Sequence, residues 1–273
     1  AVFGDYDVDG ITSTCLLTDY LRSRGADVTM HIPRRIEEGY GLGCDAIRAL
    51  SESGVTLIVT ADCGITGVDE TAYAATLGVD LVITDHHECK EQLPAAVAVV
   101  DPKRPGSQYP NGGLAGVGVA FKLGHAFLKY GREHNLGGYM TELKEVLDYV
   151  ALGTVADIVP LLSENRILVK HGMEMLRRQL RPGVRALIEV ARISGSSIKP
   201  SDITFKMAPR INAAGRLGNA ISALQLLTAS KIVDAYHYAD MLELFNQKRQ
   251  TKEQEIFNEA KHYVESAPDF SSS

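Results

Sequence analysis

The chain has no tryptophan, only four cysteines among its 273 residues, and no long uninterrupted apolar run. A membrane-spanning helix needs about 20 consecutive apolar residues, so we expect a soluble protein without a membrane partner. The cysteines (Cys15, Cys44, Cys63 and Cys89) include no C-x-x-C pair. Their scatter disfavours a disulfide framework or a thiolate zinc site and favours reduced thiols in a cytoplasmic protein.

Basic charge is also scarce, because 28 Lys and Arg residues face 34 Asp and Glu residues, for a net charge of −6. Composition therefore does not predict a broad basic surface that grips nucleic acid. Divalent cations bound among the acids would add positive charge where the acids are densest. The chain begins inside an apolar run without an initiator methionine or a signal peptide, so we expect a piece of a longer protein.

Short β-rich runs alternate with helical patterns over residues 1–110. The β-rich runs lie at 2–3, 28–33, 55–61, 80–84 and 97–100. The helical patterns between them lie at 11–24, 44–53 and 67–77. This alternation is typical of βαβ units and predicts a doubly wound α/β fold with a mainly parallel five-stranded sheet.

The chain beyond residue 110 has helical patterns and no convincing strand. Apolar residues recur with helical period over 114–130, 139–152, 165–178 and 184–193. A further pattern over 231–266 is polar on every side in its middle, as in a helix that bridges domains. We expect one domain over 1–240, with a sheet part (1–110) and a helical part (111–240), a connector helix over 241–266 leading to a second domain absent from this chain, and a linker over 267–273.

Three of the predicted strands end in acidic residues. In chain order the strand ends carry Asp5, Asp7 and Asp9, then Asp62, then Asp85 with His86 and His87. The carboxyl ends of parallel strands share one edge of the sheet, where such folds place their ligands. Like charges packed there repel strongly, so the cluster predicts divalent metal among the carboxylates.

The kind of metal follows from the mixture of imidazole and carboxylate. This mixture favours Mn²⁺, with Mg²⁺ as the alternative, and lacks the thiolates of structural zinc. A calcium loop of the EF-hand type would need Glu at its twelfth position, which is Leu16 here. Asp157 lies in a hydrophobic stretch, so its carboxylate needs a partner, for which metal is one candidate. Asp101 also ends a strand, but the following Pro102 favours a turn residue.

Several arginines are candidates for phosphate binding, because the guanidinium fork matches phosphate oxygens. Arg34 and Arg35 follow the second β-rich run, beside a turn that carries Tyr40. The ring of Tyr40 could stack on a base. Two further arginines, Arg210 and Arg216, flank an asparagine and a glycine in the segment 210–217.

Four motifs taken in order resemble the metal motifs of the DHH phosphoesterase superfamily: Asp5-Tyr6-Asp7-Val8-Asp9-Gly10, Asp62-Cys63-Gly64, Asp85-His86-His87 and Gly153-Thr154-Val155-Ala156-Asp157. Within that superfamily, the segments 38–41, 114–120 and 210–217 are similar to RecJ-type single-strand-specific 5′→3′ exonucleases. The resemblance covers nearly the whole chain and is specific as a set. It implies that residues 1–240 form a DHH catalytic domain.

The resemblance also implies a ligand set for two ions, Mn²⁺ or Mg²⁺. One ion would be held by Asp7 and Asp62, and the other by Asp9, Asp62, His86 and Asp157. Some superfamily members have a metal-binding histidine where this chain has Phe3. Because phenylalanine cannot coordinate metal, either the first ion is bound more weakly or Asp5 completes its site.

Further roles follow from the same resemblance. His87 would face the scissile phosphate as hydrogen-bond donor or general acid. Apart from the resemblance, the adjacency of Asp85 to the two histidines predicts that its carboxylate accepts a hydrogen bond from one of them. Arg35 and Tyr40 would hold the 5′-terminal nucleotide. Phosphate binding would be supported by Arg210, Asn212 and Arg216.

These inferences predict a two-metal phosphodiesterase that releases 5′-mononucleotides from single-stranded DNA in repair and recombination. The expected partners are a single-stranded DNA with a 5′ end and, among proteins, a single-strand-binding protein or a helicase. One alternative is a DHH phosphodiesterase that acts on oligoribonucleotides or cyclic dinucleotides. Another is a non-catalytic nucleic-acid-binding scaffold, although that class should have a broken ligand set. Phe3 disfavours a pyrophosphatase.

Overall fold

A computed structural model describes residues 1–35, 38–136, 143–194, 197–217 and 220–266. Its centre is a five-stranded sheet formed by β1 (Val2–Gly4), β2 (Met30–His31), β3 (Leu57–Ala61), β4 (Asp80–Thr84) and β5 (Ala98–Val100). The strand order is β2-β1-β3-β4-β5, and every pairing is parallel. The predicted α/β fold with a parallel five-stranded sheet is confirmed.

The sheet part is joined by three helices, α1 (Val8–Arg22), α2 (Cys44–Glu52) and α3 (Val68–Thr76). After β5 the described elements are all helical: α4 (Gly116–Glu133), a 3₁₀ turn (Leu143–Val146), α5 (Leu147–Ala156), α6 (Ser163–Arg178), α7 (Pro182–Val190), α8 (Pro200–Asp202), a π-helical turn (Ile203–Met207), α9 (Ala208–Arg216), α10 (Ile221–Leu227) and α11 (Ile232–Ser266). Among the described residues, no helix combines the length and apolarity that a membrane crossing requires.

Successive side chains along each strand point to opposite faces of the sheet. Both faces are buried, because a separate core packs on each. Phe3 and Ile58 point into a small core shared with α2 and α3. Val2 and Val59 point into a larger core, which contains residues of α1, α4 and the helices that follow. Among the described residues, the helical part therefore packs on one face of the sheet.

Helix α1 begins at Val8, three residues earlier than the sequence pattern indicated. Asp7 caps this helix with extended backbone (φ −88°, ψ −178°), and its carboxylate accepts a hydrogen bond from the Gly10 amide at 3.0 Å. Asp9 consequently lies in the first helical turn. The acidic run is thus a strand end followed by a capped helix.

The other predicted helices agree with the structure within a few residues, apart from the one expected over 139–152. Its first residues fall outside the described ranges, and the chain there becomes a 3₁₀ turn and then α5. Helix α11 continues without a break across residue 240, where the sequence suggested a domain boundary. That boundary stays a prediction, and the linker expected over 267–273 also lies outside the described residues.

The topology marks one position on the sheet edge as special. β1 has β2 on one side and β3 on the other, so the connection from β1 to β2 and the next connection, from β2 back past β1 to β3, run in opposite directions along the sheet. In doubly wound sheets the ligand site lies at such a switch point, outside the carboxyl ends of the strands. Asp5 follows β1 directly and Asp62 follows β3, which places one carboxylate on each side of this point.

Candidate metal centre

The acidic side chains from the strand ends converge in three overlapping groups. In each group one ligand atom per residue lies within 4.8 Å of the others: Asp5, Asp7 and Asp62; Asp9, His86 and Asp157; and Asp62, His86 and His87. Asp62 and His86 each belong to two of these groups. The structure therefore brings together all the residues predicted as metal ligands, including Asp157 from the helical part.

The centre of the cluster is a set of buried polar atoms without partners. His86 Nε2 lies 3.1 Å from Asp62 Oδ1 and 3.8 Å from one oxygen of Asp9 and one of Asp157. Within the described residues, neither His86 Nε2 nor Asp62 Oδ1 makes a hydrogen bond of acceptable geometry, and Asp5 Oδ1 is equally orphaned. Buried polar atoms are normally satisfied, so converging orphaned ligand atoms fit a cation.

Electrostatics support the same fit. Burial, followed by the charge of Asp7, raises the pKa of Asp5 to about 7 and that of Asp157 to about 6. Burial also raises the pKa values of Asp9 and Asp62 well above the usual range, with neighbouring carboxylates adding to the shift. Burial lowers the pKa of His86 to about 4, which keeps its imidazole neutral and able to coordinate. A divalent cation would offset the repulsion among the carboxylates.

Asp9 is held by the N-terminus of α4. Its carboxylate accepts hydrogen bonds from the amides of Gly116 (2.6 Å) and Val117 (2.9 Å), where unpaired amides and the helix dipole favour an anion. Gly116 also has to be glycine, because a Cβ there would lie 2.4 Å from Asp62 Oδ1. In the sequence, the motif 114–120 is identified only by resemblance. A Gly-Val-Gly at a predicted helix start was the signal for this role.

Asp85 orients the two histidines rather than joining the metal groups. Its carboxylate accepts from the Ile65 amide (2.9 Å), the His86 amide (2.7 Å) and His87 Nδ1 (2.7 Å). Burial alone would raise the pKa of Asp85, but these hydrogen bonds outweigh it and lower the pKa. The same contact with Asp85 raises the pKa of His87, so its imidazolium persists to higher pH. Tyr40 places its hydroxyl 3.5 Å from His87 Nε2.

Two of the predicted substrate residues, Arg35 and Tyr40, lie beside the acidic cluster. Both side chains are exposed beside Tyr6, which lies between the first two acids. The Arg35 guanidinium carbon is 5.1 Å from the centre of the Tyr6 ring. The Tyr40 ring meets the rings of Tyr6 and His87 edge-on, with centroid distances of 6.3 and 6.1 Å. A cation and two aromatic faces therefore border the acidic cluster.

The three predicted residues on α9 are placed differently from one another. Asn212 Oδ1 accepts a hydrogen bond from the Val8 amide at 3.1 Å, so this side chain braces the acidic turn. Arg210 Nε lies 2.6 Å from Glu243 Oε2, and this ion pair joins α9 to α11. Arg216 is exposed at the end of α9. Phosphate binding by these residues stays a prediction, and for Arg210 it would require the pair with Glu243 to open.

A sequence profile described as "DHH family, N-terminal domain" matches residues 1–154. Among curated proteins, the chain is 41% identical over 264 residues to a protein of Bacillus subtilis named "Single-stranded-DNA-specific exonuclease RecJ", covering 97% of this chain and 32% of that protein. It is also 41% identical over 267 residues to the Escherichia coli protein of the same name, covering 95% of this chain and 46% of that protein. The chain thus spans about a third to a half of these relatives.

Solved structures give the same relationship. "Crystal structure of exonuclease RecJ bound to manganese" superposes with a TM-score of 0.84 at 37% identity, over 94% of this chain and 63% of that one. RecJ of Thermus thermophilus in complex with Mn²⁺ gives a TM-score of 0.81 at 34% identity, over 97% of this chain and 37% of that one. These matches confirm the resemblance inferred from the motifs.

Proposed function

The chain belongs to the DHH family, and on that premise we propose that it is the catalytic part of a metal-dependent single-strand-specific 5′→3′ DNA exonuclease. The observation that carries the proposal is the convergence of ligand atoms from Asp9, Asp62, His86 and Asp157 at the switch point of the sheet, where Asp62 Oδ1 and His86 Nε2 are buried without a hydrogen-bond partner among the described residues. Relatives of this chain are named as single-stranded-DNA-specific exonucleases, and solved relatives are described in complex with Mn²⁺ or Mg²⁺.

Two metal ions are part of the proposal. Asp7 and Asp62, completed by Asp5, would hold one ion, which agrees with the grouping of these three side chains. The second ion would be held by Asp9, Asp62, His86 and Asp157. When bound, Mn²⁺ or Mg²⁺ supplies positive charge that stabilises the charge developing on phosphate oxygens and favours ionisation of an attacking water.

The protein's own acid in this scheme is His87. Asp85 accepts from Nδ1, which leaves Nε2 directed away from the carboxylate, where its contact with the Tyr40 hydroxyl at 3.5 Å would give way to the leaving oxygen. The raised pKa of His87 keeps the imidazolium populated at higher pH, as a proton donor requires. Its donation to the 3′-oxygen would complete cleavage of the phosphodiester and release a 5′-mononucleotide.

The exposed pair of Arg35 and Tyr40 would receive the 5′ end of the strand. A guanidinium suits the terminal phosphate, and a tyrosine ring offers a stacking face that is tolerant of base identity. Arg216, with Asn212 and Arg210, would support the backbone phosphates from α9. The same proposal includes a cytoplasmic location. It also includes a protein partner, either a single-strand-binding protein or a helicase, because each of these would act on the same single-stranded DNA.

The test is digestion of a long single-stranded DNA labelled at its 5′ end, with Mn²⁺ and the 273-residue chain. We expect labelled mononucleotides as the first product, and none from Asp62→Ala. Asp45→Ala, at an exposed position on α2, is the matched control and should retain activity. A ladder of progressively shortened labelled strands, with labelled mononucleotide appearing last, would contradict the polarity, and faster turnover of a dinucleotide would favour the oligoribonucleotide alternative.

A further inference from the structure

Asn165 is a buried amide that links two separate loops. It lies in the first turn of α6 and is 1% exposed. Its Nδ2 group donates to the carbonyl oxygens of Gly113 (2.6 Å) and Pro160 (3.0 Å). Both amide hydrogens are therefore used, and only a side chain with two donors on one nitrogen can make this link.

The Gly113 side of the link leads to Asp9. Gly113 lies in the loop that enters α4, three residues before Gly116. The amides of Gly116 and Val117 hold both oxygens of the Asp9 carboxylate. A shift of the Gly113 backbone would therefore move the donors that fix Asp9.

The Pro160 side of the link leads to Asp157. Pro160 lies three residues after Asp157, in the segment between α5 and α6. Non-glycine residues with left-handed backbone lie within this segment, at Ile158 (φ +62°), and at the first residue of α6, Ser163 (φ +47°). For a β-branched residue such as Ile158 this conformation is strained, and it persists only where the surroundings hold it. The hydrogen bond from Asn165 to the Pro160 carbonyl is one such restraint.

We propose that Asn165 is a positioning residue for the metal centre, which fixes Asp9 and Asp157 relative to each other. Resting on the proposed function, this inference adds a residue that touches neither metal nor substrate. Asp9 and Asp157 approach His86 Nε2 from different parts of the chain, each to 3.8 Å. The gap between the two carboxylates is set by the loops that Asn165 joins. Groups that hydrogen-bond a metal ligand directly commonly change metal affinity by about 10–100-fold when removed, and Asn165 acts one step further out, so the lower end of that range is expected here.

A neighbouring link keeps the region folded when Asn165 is changed. Glu164 accepts from the Tyr109 hydroxyl at 2.6 Å and pairs with Lys122. These contacts hold the start of α6 to the same loop and to α4, on the exposed side. Loss of the Asn165 amide should consequently disturb the geometry at Asp9 and Asp157 more than it disturbs the fold.

The test is calorimetric titration with Mn²⁺ of the wild-type chain, Asn165→Asp and Asn246→Asp. Asn165→Asp keeps the size of the side chain but replaces the donor amide group with a carboxylate oxygen, which cannot donate to the carbonyls of Gly113 and Pro160. We expect Mn²⁺ affinity at the site that contains Asp9 and Asp157 to fall by up to about 10-fold, with the other site nearly unchanged. Asn246 is equally buried (2% exposed) on α11, where its side-chain oxygen accepts from Arg249, so its variant should keep both affinities.

The outcomes separate this inference from the proposed function. If the wild-type chain takes up no Mn²⁺, both fail together. If it binds two ions and folded Asn165→Asp binds them equally well, only the positioning role is overturned. Should Asn165→Asp not fold, Asn165→Ser and Asn246→Ser make the same comparison. Equal losses of affinity in those two variants would then refute the role.

Discussion

Asp62 is a buried carboxylate beside other carboxylates, and its backbone is also strained. It is 2% exposed, has a left-handed backbone (φ +66°), and lies in contact with His86 between the two proposed ion sites. Asparagine tolerates this backbone best after glycine, and it removes the charge without changing the shape. Substitution by asparagine therefore separates the metal-binding role of Asp62 from its place in the fold.

We predict that Asp62→Asn stabilises the metal-free chain while it abolishes Mn²⁺-dependent nuclease activity. With the repulsion from neighbouring carboxylates relieved, the free energy of unfolding at pH 8 should rise by about 1–2 kcal/mol, the equivalent of roughly one pKa unit. Urea unfolding in chelator measures this change, and added Mn²⁺ should stabilise the variant far less than the wild type. Asp45→Asn, whose side chain is 95% exposed, should change neither property. A destabilised Asp62→Asn would show that the metal-free cluster is not under repulsion.

Ile158 offers a second test at the residue scale. Its side chain is 78% exposed, so it contributes little burial, yet its backbone is left-handed. We predict that Ile158→Asn raises the free energy of unfolding by about 1 kcal/mol, because asparagine visits this conformation at lower cost. The matched control is Ile167→Asn on α6, which is 59% exposed and should give no stabilisation. A stabilisation of the same size in both variants would assign the effect to the removal of an exposed apolar side chain instead of backbone strain.

At the scale of elements, the N-terminus of α4 combines two functions in one turn. Its amides hold Asp9, and the missing side chain of Gly116 makes room for Asp62. Two residues on, Gly118 has the same helical backbone but a looser environment, since a Cβ there would meet only the flexible end of Leu114 at 3.2 Å. The two glycines therefore form a matched pair within one helix.

We predict that Gly116→Ala destabilises the chain by about 1–3 kcal/mol through overpacking and weakens Mn²⁺ binding as Asp62 is displaced. Gly118→Ala should be neutral or stabilising by up to about 1 kcal/mol, because alanine is the better helix former. Thermal unfolding without Mn²⁺ measures the change in stability, and the further stabilisation on adding Mn²⁺ measures the change in Mn²⁺ binding. Equal Mn²⁺ binding by the two variants would mean that α4 does not set the position of Asp62.

The elements themselves were largely predictable from sequence, because buried parallel strands consist of short β-branched runs. Ile58 and Val82 lie in such runs, and all five strands appear where those runs occur. The start of α1 was missed because Asp7 serves as its cap, and a cap inside an acidic run gives the same pattern as a ligand. The metal side chains were predictable because they follow the strands directly.

Apart from the Gly-Val-Gly at the start of α4, the supports of those side chains were not predictable from the sequence. Asn165 at the start of a helix resembles a local cap, and nothing in its neighbourhood indicates a hydrogen bond to Gly113. The same holds for Asn212, whose partner Val8 lies at the other end of the chain. Contacts of this kind depend on how α6 and α9 pack against the sheet part, which no local pattern encodes.

At the scale of the whole molecule, the acidic cluster has all its side chains in place only when the sheet part and the helical part pack together. The strand ends supply Asp5, Asp62 and His86, while α5 contributes Asp157 at its C-terminus. Bringing these carboxylates together is unfavourable without a cation. The stability of the whole chain should therefore depend on pH in a way that reports on this cluster.

The direction of that dependence follows from the shifted pKa values. An unfolded aspartate has a pKa of about 3.9, whereas burial raises that of folded Asp5 to about 7. Such a group stabilises the fold fully below the unfolded value, and this stabilisation is lost as pH rises through the folded value. The raised pKa of His87 acts in the same direction. His86 acts oppositely, but its pKa of about 4 confines its effect to pH values below about 6.5.

We therefore predict that the metal-free chain loses stability as pH rises from about 6.5 through about 7, by on the order of 1 kcal/mol, and that the raised pKa values of His87, Asp9 and Asp62 extend the loss to higher pH. Mn²⁺ should reverse this trend, because its ligands bind as carboxylates and proton competition weakens as pH rises. Urea unfolding at several pH values, in chelator and in excess Mn²⁺, measures both slopes. Asp62→Asn should flatten the metal-free slope, since one of the repelling carboxylates is gone. A metal-free chain whose stability increases over this range would contradict the raised pKa values, and with them the idea that a cation is needed to hold the cluster together.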